Sequence, residues 1–164
     1  MAEKITRKLR LEGVKVMFKN FKGEERKYNR QGARNFNAVL DIKTAQELED
    51  EGWKIRWLEP RREGDDRVPI LKVNINFNNP NKLPNIVMVT GKKTTKLDEE
   101  ALEVLDSAEI DTADLVLLPY NWDRNGDSGV SAYLKNGYFN VIEDEFYNKY
   151  HDDEPEPDDE DVPF

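Results

Sequence analysis

Apolar residues in this chain recur at every second position over long stretches, and that alternation limits its possible folds more than any other feature. Val14, Val16 and Phe18 share one phase, as do Phe36, Ala38 and Leu40, then Trp53, Ile55 and Trp57, then Leu71, Val73, Ile75 and Phe77. Period two places each set on one face of a half-buried strand. Ile86 to Thr90 and Leu115 to Leu118 are short continuous apolar runs and read as more deeply buried strands, while Val130, Ala132 and Leu134 alternate again. Asn125-Gly126 is the best hairpin signal, because both residues tolerate the positive φ of a type I′ turn. Two helices interrupt the strands. One starts at Thr44, which has capping-box spacing to Glu47, and stops at Gly52; the other starts near Asp98 and runs through Leu102 and Leu105. About seven strands with two short helices predict a mainly-β barrel or sandwich. Charged, Gly- or Pro-bearing loops separate the strands at Phe21 to Gly32, Glu59 to Arg67 and Asn78 to Pro84.

The C-terminus obeys different rules. From Asp152 onward 8 of 13 residues are acidic and three are proline, leaving Val162 and Phe164 as the only large apolar side chains. Such a segment cannot bury enough apolar area to offset its ordering entropy, so disorder is expected. We therefore expect residues 1–150 to form a single nucleic-acid-binding domain and residues 151–164 a disordered acidic protein-docking tail. The tail accounts for most of the net charge of -9, and the rest of the chain is nearly neutral. That remainder is polarised: Met1 to Asn35 holds 11 Lys plus Arg against 4 Glu. A basic segment at one end and an acidic tail at the other suggest nucleic acid.

Several chemistries are excluded or weakly supported. The chain has no cysteine, hence no disulfide, thiol nucleophile or cysteine-liganded zinc. Its single histidine, His151, borders the tail, where no rigid Ser-His-Asp arrangement can form. The stretch from Asp123 to Gly129 fails as a calcium loop, with Ser128 at the sixth position and Leu134 at the twelfth. Gly91-Lys92-Lys93-Thr94 fails as a phosphate loop because Ile86 replaces the first glycine and Lys93 the magnesium-binding hydroxyl. No catalytic residue, metal site or cofactor is expected. No apolar run reaches the length of a membrane span and the N-terminus lacks a signal sequence, so a cytoplasmic protein with no membrane partner is expected.

Basic residues interleaved with aromatics remain. Cations that track phosphates and exposed rings that stack on bases are what single-stranded nucleic acid needs. In the first long loop the candidates are Lys22, Arg26, Lys27, Tyr28, Arg30 and Arg34; Phe18 and Phe36, at its edges, read as core. With Leu71, Val73 and Ile75 inward, Lys72 and Asn74 share the outer face, and with Val130, Ala132 and Leu134 inward, Tyr133 and Lys135 do so. Trp122, beside Tyr120 and just before the hairpin turn, is a loop-borne stacker, whereas Trp53 and Trp57 share the phase of Ile55 and read as core. Arg56, Arg61, Arg62, Lys92 and Lys93 are further phosphate candidates. Each of these sets also fits an ordinary solvated surface.

The terminal Asp158-Asp159-Glu160-Asp161-Val162-Pro163-Phe164 resembles the acidic tip of bacterial single-stranded-DNA-binding proteins, which also ends on carboxylates, an aliphatic residue, Pro and a C-terminal Phe. Several bacteriophage single-stranded-DNA-binding proteins carry similar acidic tails. The chain lacks the long Gly- and Gln-rich linker of the bacterial family, which points to the bacteriophage type. The resemblance implies an OB-fold-like β-barrel with extra strands. It implies sequence-independent binding and protection of single-stranded DNA in replication, recombination and repair, in the bacterial host cytoplasm if the chain is phage-encoded. By the same resemblance Phe164 and its carboxylate fill a partner enzyme's pocket, Pro163 shapes the approach, Asp158, Asp159, Glu160 and Asp161 add charge, and Val162 belongs to the same docking set. RNA is a second candidate ligand, since stacking and phosphate contacts do not distinguish the sugars. Two other readings are a protein-interaction adaptor whose tail mimics DNA, and a metal-dependent nuclease acting on single strands.

Overall fold

The computed structural model describes residues 6–27 and 29–142; Tyr28 and the expected tail, residues 151–164, lie outside them. Along the described chain come β1 (Leu9–Asn20), β2 (Arg34–Val39), α1 (Ile42–Glu51), β3 (Ile55–Leu58), β4 (Val68–Ile75), β5 (Asn85–Thr90), β6 (Lys93–Leu97), α2 (Val104–Ser107), β7 (Ile110–Arg124) and β8 (Asp127–Val141). The sheet order is β3-β4-β2-β1-β7-β8-β5-β6, with a further parallel pairing of β4 to β8 through Val73–Ala132 and Asn74–Tyr133. That pairing closes β4, β2, β1, β7 and β8 into a five-stranded barrel and leaves β3, β5 and β6 as extensions of its wall. The molecule is therefore a mainly-β, OB-fold-like barrel with extra strands and two helices, and not a sandwich.

Inside the barrel the alternating residues meet as their phase requires. Phe21, Phe36 and Phe139 are fully buried. Phe21 stacks on Phe36 at 5.3 Å, and Phe139 meets both edge-on at 5.4 Å. Ala38, Val73, Leu117, Ala132 and Ile86 complete the same buried cluster. The β7–β8 hairpin turns at Asn125 and Gly126, with φ of 50° and 88°, as a type I′ turn requires.

Three local expectations are revised. Helix α1 begins at Ile42, not Thr44, because Asp41 is the cap: its carboxylate accepts from the Thr44 backbone N–H at 2.9 Å and from the Thr44 hydroxyl at 2.7 Å. Those two bonds hold the Asp41 carboxyl below its ordinary pKa. The second helix is reduced to Val104–Ser107, preceded by turns in which Asp98 accepts from the Ala101 N–H. Strand β6 was not expected, because only Leu97 of its five residues is buried; it is held by pairing with β5 from Ile86–Leu97 to Thr90–Lys93.

Strand β1 bends where its regularity breaks. Its register against β7 shifts between Leu11 and Val14, and against β2 between Met17 and Asn20. Bulges of this kind coil a strand around a barrel and re-aim side chains. The second one overturns the expectation for Phe18. Phe18 adopts φ 51° and is 53% exposed instead of continuing the inward phase of Val14 and Val16. The segments after it pin this unfavourable geometry. The Lys19 ammonium donates to the carbonyls of Leu105 and Ala108 at 2.9 and 2.6 Å. The Asp106 carboxylate accepts from the backbone N–H of Phe21 and of Lys22, both at 2.8 Å. A left-handed, bulky residue persists only where its surroundings over-determine it, and such residues cluster at functional sites.

Candidate nucleic-acid interface

The β1–β2 loop folds through its amides. The buried Asn20 side chain accepts from the N–H groups of Gly23 and Glu24 and donates to the Glu24 carbonyl. The Asn29 side chain donates to the carbonyls of Glu24, Arg30 and Ala33, and its oxygen accepts from Asn35 at 2.7 Å. Backbone bonds between Arg26 and Asn29 tighten the tip. The charged loop is thus cross-braced, which fixes where its cations project.

Arg26 and Lys27 project over a cavity of about 480 Å³ on the outer face of β2, β3 and β4, lined also by residues of β8. Its cations are Arg26, Lys27, Lys54, Arg56 and Lys72, and no Asp or Glu lines it. Asn20, Asn29, Asn35, Asn37 and Asn74 supply amides, and Phe18 supplies an exposed ring. Sheet register explains the grouping: Asn35 faces Asn74 and Asn37 faces Lys72 across β2–β4. Lys54 arrives by a separate tie, since Trp53 bridges Val130 and the Lys54 N–H donates to the Val130 carbonyl at 3.1 Å. Among the described residues Lys54, Arg56 and Lys72 form no ion pair. The contact of Arg26 with Glu24, at 3.6 Å, is half-exposed and weakly held.

Beside this cavity, and sharing Ser131 with it, lies a second of about 430 Å³ lined by Tyr120, Trp122, Arg124 and Tyr133 among others. Tyr120 is 57% exposed and meets Tyr133 edge-on at 5.9 Å. Trp122 lies flat across the hairpin onto Gly129, where an added Cβ would come within 2.7 Å of the indole Cζ2. The Lys54 ammonium stands 5.1 Å from the Trp122 ring centroid. Cations and exposed rings therefore lie on adjoining surfaces that share Ser131, with Asp123 the one carboxylate lining the second cavity, and such a mixture is what single-stranded nucleic acid requires. In OB-folds the same face, strands two and three with the first and last hairpin loops, is the one that binds oligonucleotides.

Of the residues singled out from sequence, Arg26, Lys27, Lys72, Asn74 and also Arg56 line the main cavity, and Trp122 and Tyr133 line its neighbour. Lys22 and Arg34 turn elsewhere. Lys22 lies 3.9 Å from Glu103, and Arg34 pairs with Glu99 at 3.6 Å while lying over the Phe77 ring. Arg30 lines neither cavity, and Lys135 sits beyond Tyr133 on β8. Tyr28 and Asp158, Asp159, Glu160, Asp161, Val162, Pro163 and Phe164 lie outside the described residues. Trp53 is core, as expected, and Trp57 is partly buried with its indole N–H donating to Glu49. Sequence reasoning missed Phe18 as a groove residue and missed Lys54, although Lys54 alternates with the apolar phase of Trp53 and Ile55. Among the described residues no three of His, Asp or Glu converge as a metal site, and no helix is long and apolar enough to cross a membrane.

Among curated proteins none matches this sequence. Among solved structures the chain is similar to gp2.5, a single-stranded DNA binding protein encoded by bacteriophage T7, at 12% identity and a TM-score of 0.42, covering 98% of this chain and 100% of that one. The model of the phage ssDNA-binding domain, a family of DNA-binding proteins and not of enzymes, matches residues 1–163. On that match over almost its whole length, the chain belongs to the phage ssDNA-binding domain family.

Proposed function

We propose that this protein binds single-stranded DNA without reading its sequence, in the groove formed by the braced β1–β2 loop, the outer face of β2, β3 and β4, and the base of the β7–β8 hairpin. The observation that carries this reading is a cavity lined by five cations and no carboxylate, with the exposed Phe18 ring inside it. Arg26, Lys27, Lys54, Arg56 and Lys72 neutralise phosphates. Phe18, Trp122, Tyr120 and Tyr133 offer ring faces or edges to bases. Membership of a phage ssDNA-binding family supports single-stranded DNA as the ligand in phage replication.

The finer parts of the proposal concern recombination, repair and the acidic tail. Asp158 to Phe164 docks replication and recombination enzymes through the Phe164 ring, and the carboxylates of residues 152–161 compete with DNA for the basic groove. The resemblance of the tail to the bacterial tip supports both statements, as does the sign of the groove's charge.

The experiment is quenching of intrinsic tryptophan fluorescence by oligo-dT, with a duplex of equal length as competitor. Trp53 is buried and Trp57 partly so, leaving Trp122 as the groove reporter. Saturable quenching that duplex fails to displace, and that disappears in Trp122→Phe, is expected. Equal affinity for duplex, or no binding of oligo-dT, would reject the reading.

A further inference from the structure

Beyond Tyr133 the barrel wall carries a second basic feature that the groove does not use. Lys8 and Arg10 are exposed on the first turn of the wall, flanking the inward Leu9 and Leu11. Arg10 faces Val116 across β1–β7, Val116 faces Asn136 across β7–β8, and the register shift between Val116 and Leu117 leaves Lys135 as an extra residue beside Asn136, which brings Arg10 beside Lys135. Leu9 faces Leu117, which faces Leu134, so the preceding Lys8 comes to the same spot, and the nearness of Lys8, with some desolvation and the charge of Arg10, holds the Lys135 amine below its ordinary pKa. None of the three forms an ion pair among the described residues. The nearest carboxylates, exposed Glu12 two residues along β1 from Arg10 and Asp114 two along β7 from Val116, form no ion pair with the trio, and Asp114 accepts from the Gly13 N–H at 2.8 Å.

This trio is continuous with the groove. Tyr133 pairs across β4–β8 with Asn74, which lines the main cavity, and across β7–β8 with Leu118. Lys135 follows two residues later on the same strand. The surface from cavity to trio therefore runs over a tyrosine and aliphatic side chains, with no carboxylate in the register between them. Three cations held together with no carboxylate partner repel one another, and an anion placed among them relieves that repulsion.

We propose that Lys8, Arg10 and Lys135 form a second phosphate-binding subsite, which takes the single strand after it leaves the main groove over Tyr133. The inference rests on the ssDNA reading above and extends its footprint. Ser131, shared by both cavities, lies four residues before Lys135, a run of roughly 13 Å along the strand. That corresponds to about four phosphates at stacked spacing and fewer in an extended strand. A short oligonucleotide thus fills the groove alone, whereas a longer one also reaches the trio.

The test compares the full chain with the Lys8→Ser, Arg10→Ser, Lys135→Ser triple variant on oligo-dT of about 6 nucleotides, enough phosphates for the groove alone, and about 15 nucleotides, across a salt series. Each phosphate contact contributes about 0.7 to the log-log salt slope of single-strand binding. The triple variant is expected to lose about 2 from the slope on the long oligonucleotide, roughly 100-fold in affinity at 0.1 M salt. Short-oligonucleotide affinity should stay within about twofold of wild type, which also reports that the barrel is folded, and Lys8→Arg with Lys135→Arg should retain the full slope. An unchanged slope on the long oligonucleotide overturns the proposal. So does equal loss on both lengths, or a trio that affects binding of an acidic peptide only. Failure of the wild-type chain to bind either length would instead overturn the ssDNA reading itself.

Discussion

Phe18 is where backbone strain and ligand binding meet, and replacing it by Ala and by Gly separates the two. Both substitutions remove the exposed ring from the groove, so both should lose one base stack, about 1–3 kcal/mol or roughly 5- to 150-fold in ssDNA affinity. Stability should respond differently. At φ 51° an L-residue bears roughly 1–2 kcal/mol of left-handed strain, which Ala retains and Gly relieves. Gly adds about 0.5–1 kcal/mol of unfolded-state entropy in a strand. The Gly variant should therefore be the more stable of the two by about 0.5–1 kcal/mol, a melting difference of roughly 1–4 °C for a chain of this size. Thermal unfolding followed by circular dichroism, paired with anisotropy titration of labelled oligo-dT, measures both quantities. Wild-type affinity in the Ala variant would refute the stacking role. An Ala variant more stable than the Gly variant would refute the strain.

Gly129→Val forces a side chain into the 2.7 Å approach to the Trp122 ring, so the indole must lift from the hairpin; oligo-dT quenching should fall severalfold with little change in unfolding midpoint. Asp41→Ala removes the cap of α1 and should cost about 1 kcal/mol of stability. Because the folded Asp41 carboxyl is held below its ordinary value, the difference between wild type and variant should be full above the unfolded carboxylate pKa of about 3.9 and vanish as pH falls through the folded value. Removal of residues 152–164 should tighten ssDNA binding at low salt, whereas deletion of Phe164 alone should leave it unchanged and abolish capture of replication enzymes in a pull-down.

Much of the barrel was legible because its strands bury one face and solvate the other. Lys72, Asn74 and Tyr133 followed directly from the phase of Leu71, Val73 and Val130, and Asn125-Gly126 located the hairpin turn. What escaped depended on distant partners. Phe18 leaves the inward phase because α2, some 85 residues on, clamps Lys19 and the backbone of Phe21. Arg34 looks like its basic neighbours in sequence, yet Glu99 and Phe77 draw it away from the groove. Lys54 enters the groove only through the tie of Trp53 to Val130, and β6 exists because β5 offers it an edge. Alternation reports which face a residue occupies, but not which other strand that face meets.

The central claim, that a main cavity lined by no carboxylate holds a single strand through its phosphates, is tested most directly by the salt dependence of oligo-dT binding to the full chain. Five lining cations at about 0.7 each predict a log-log slope near -3.5 for an oligonucleotide confined to the groove. Lys54→Ser with Lys72→Ser should lower its magnitude by about 1.4. A slope near zero, or one unchanged by removing those two lysines, would contradict the account.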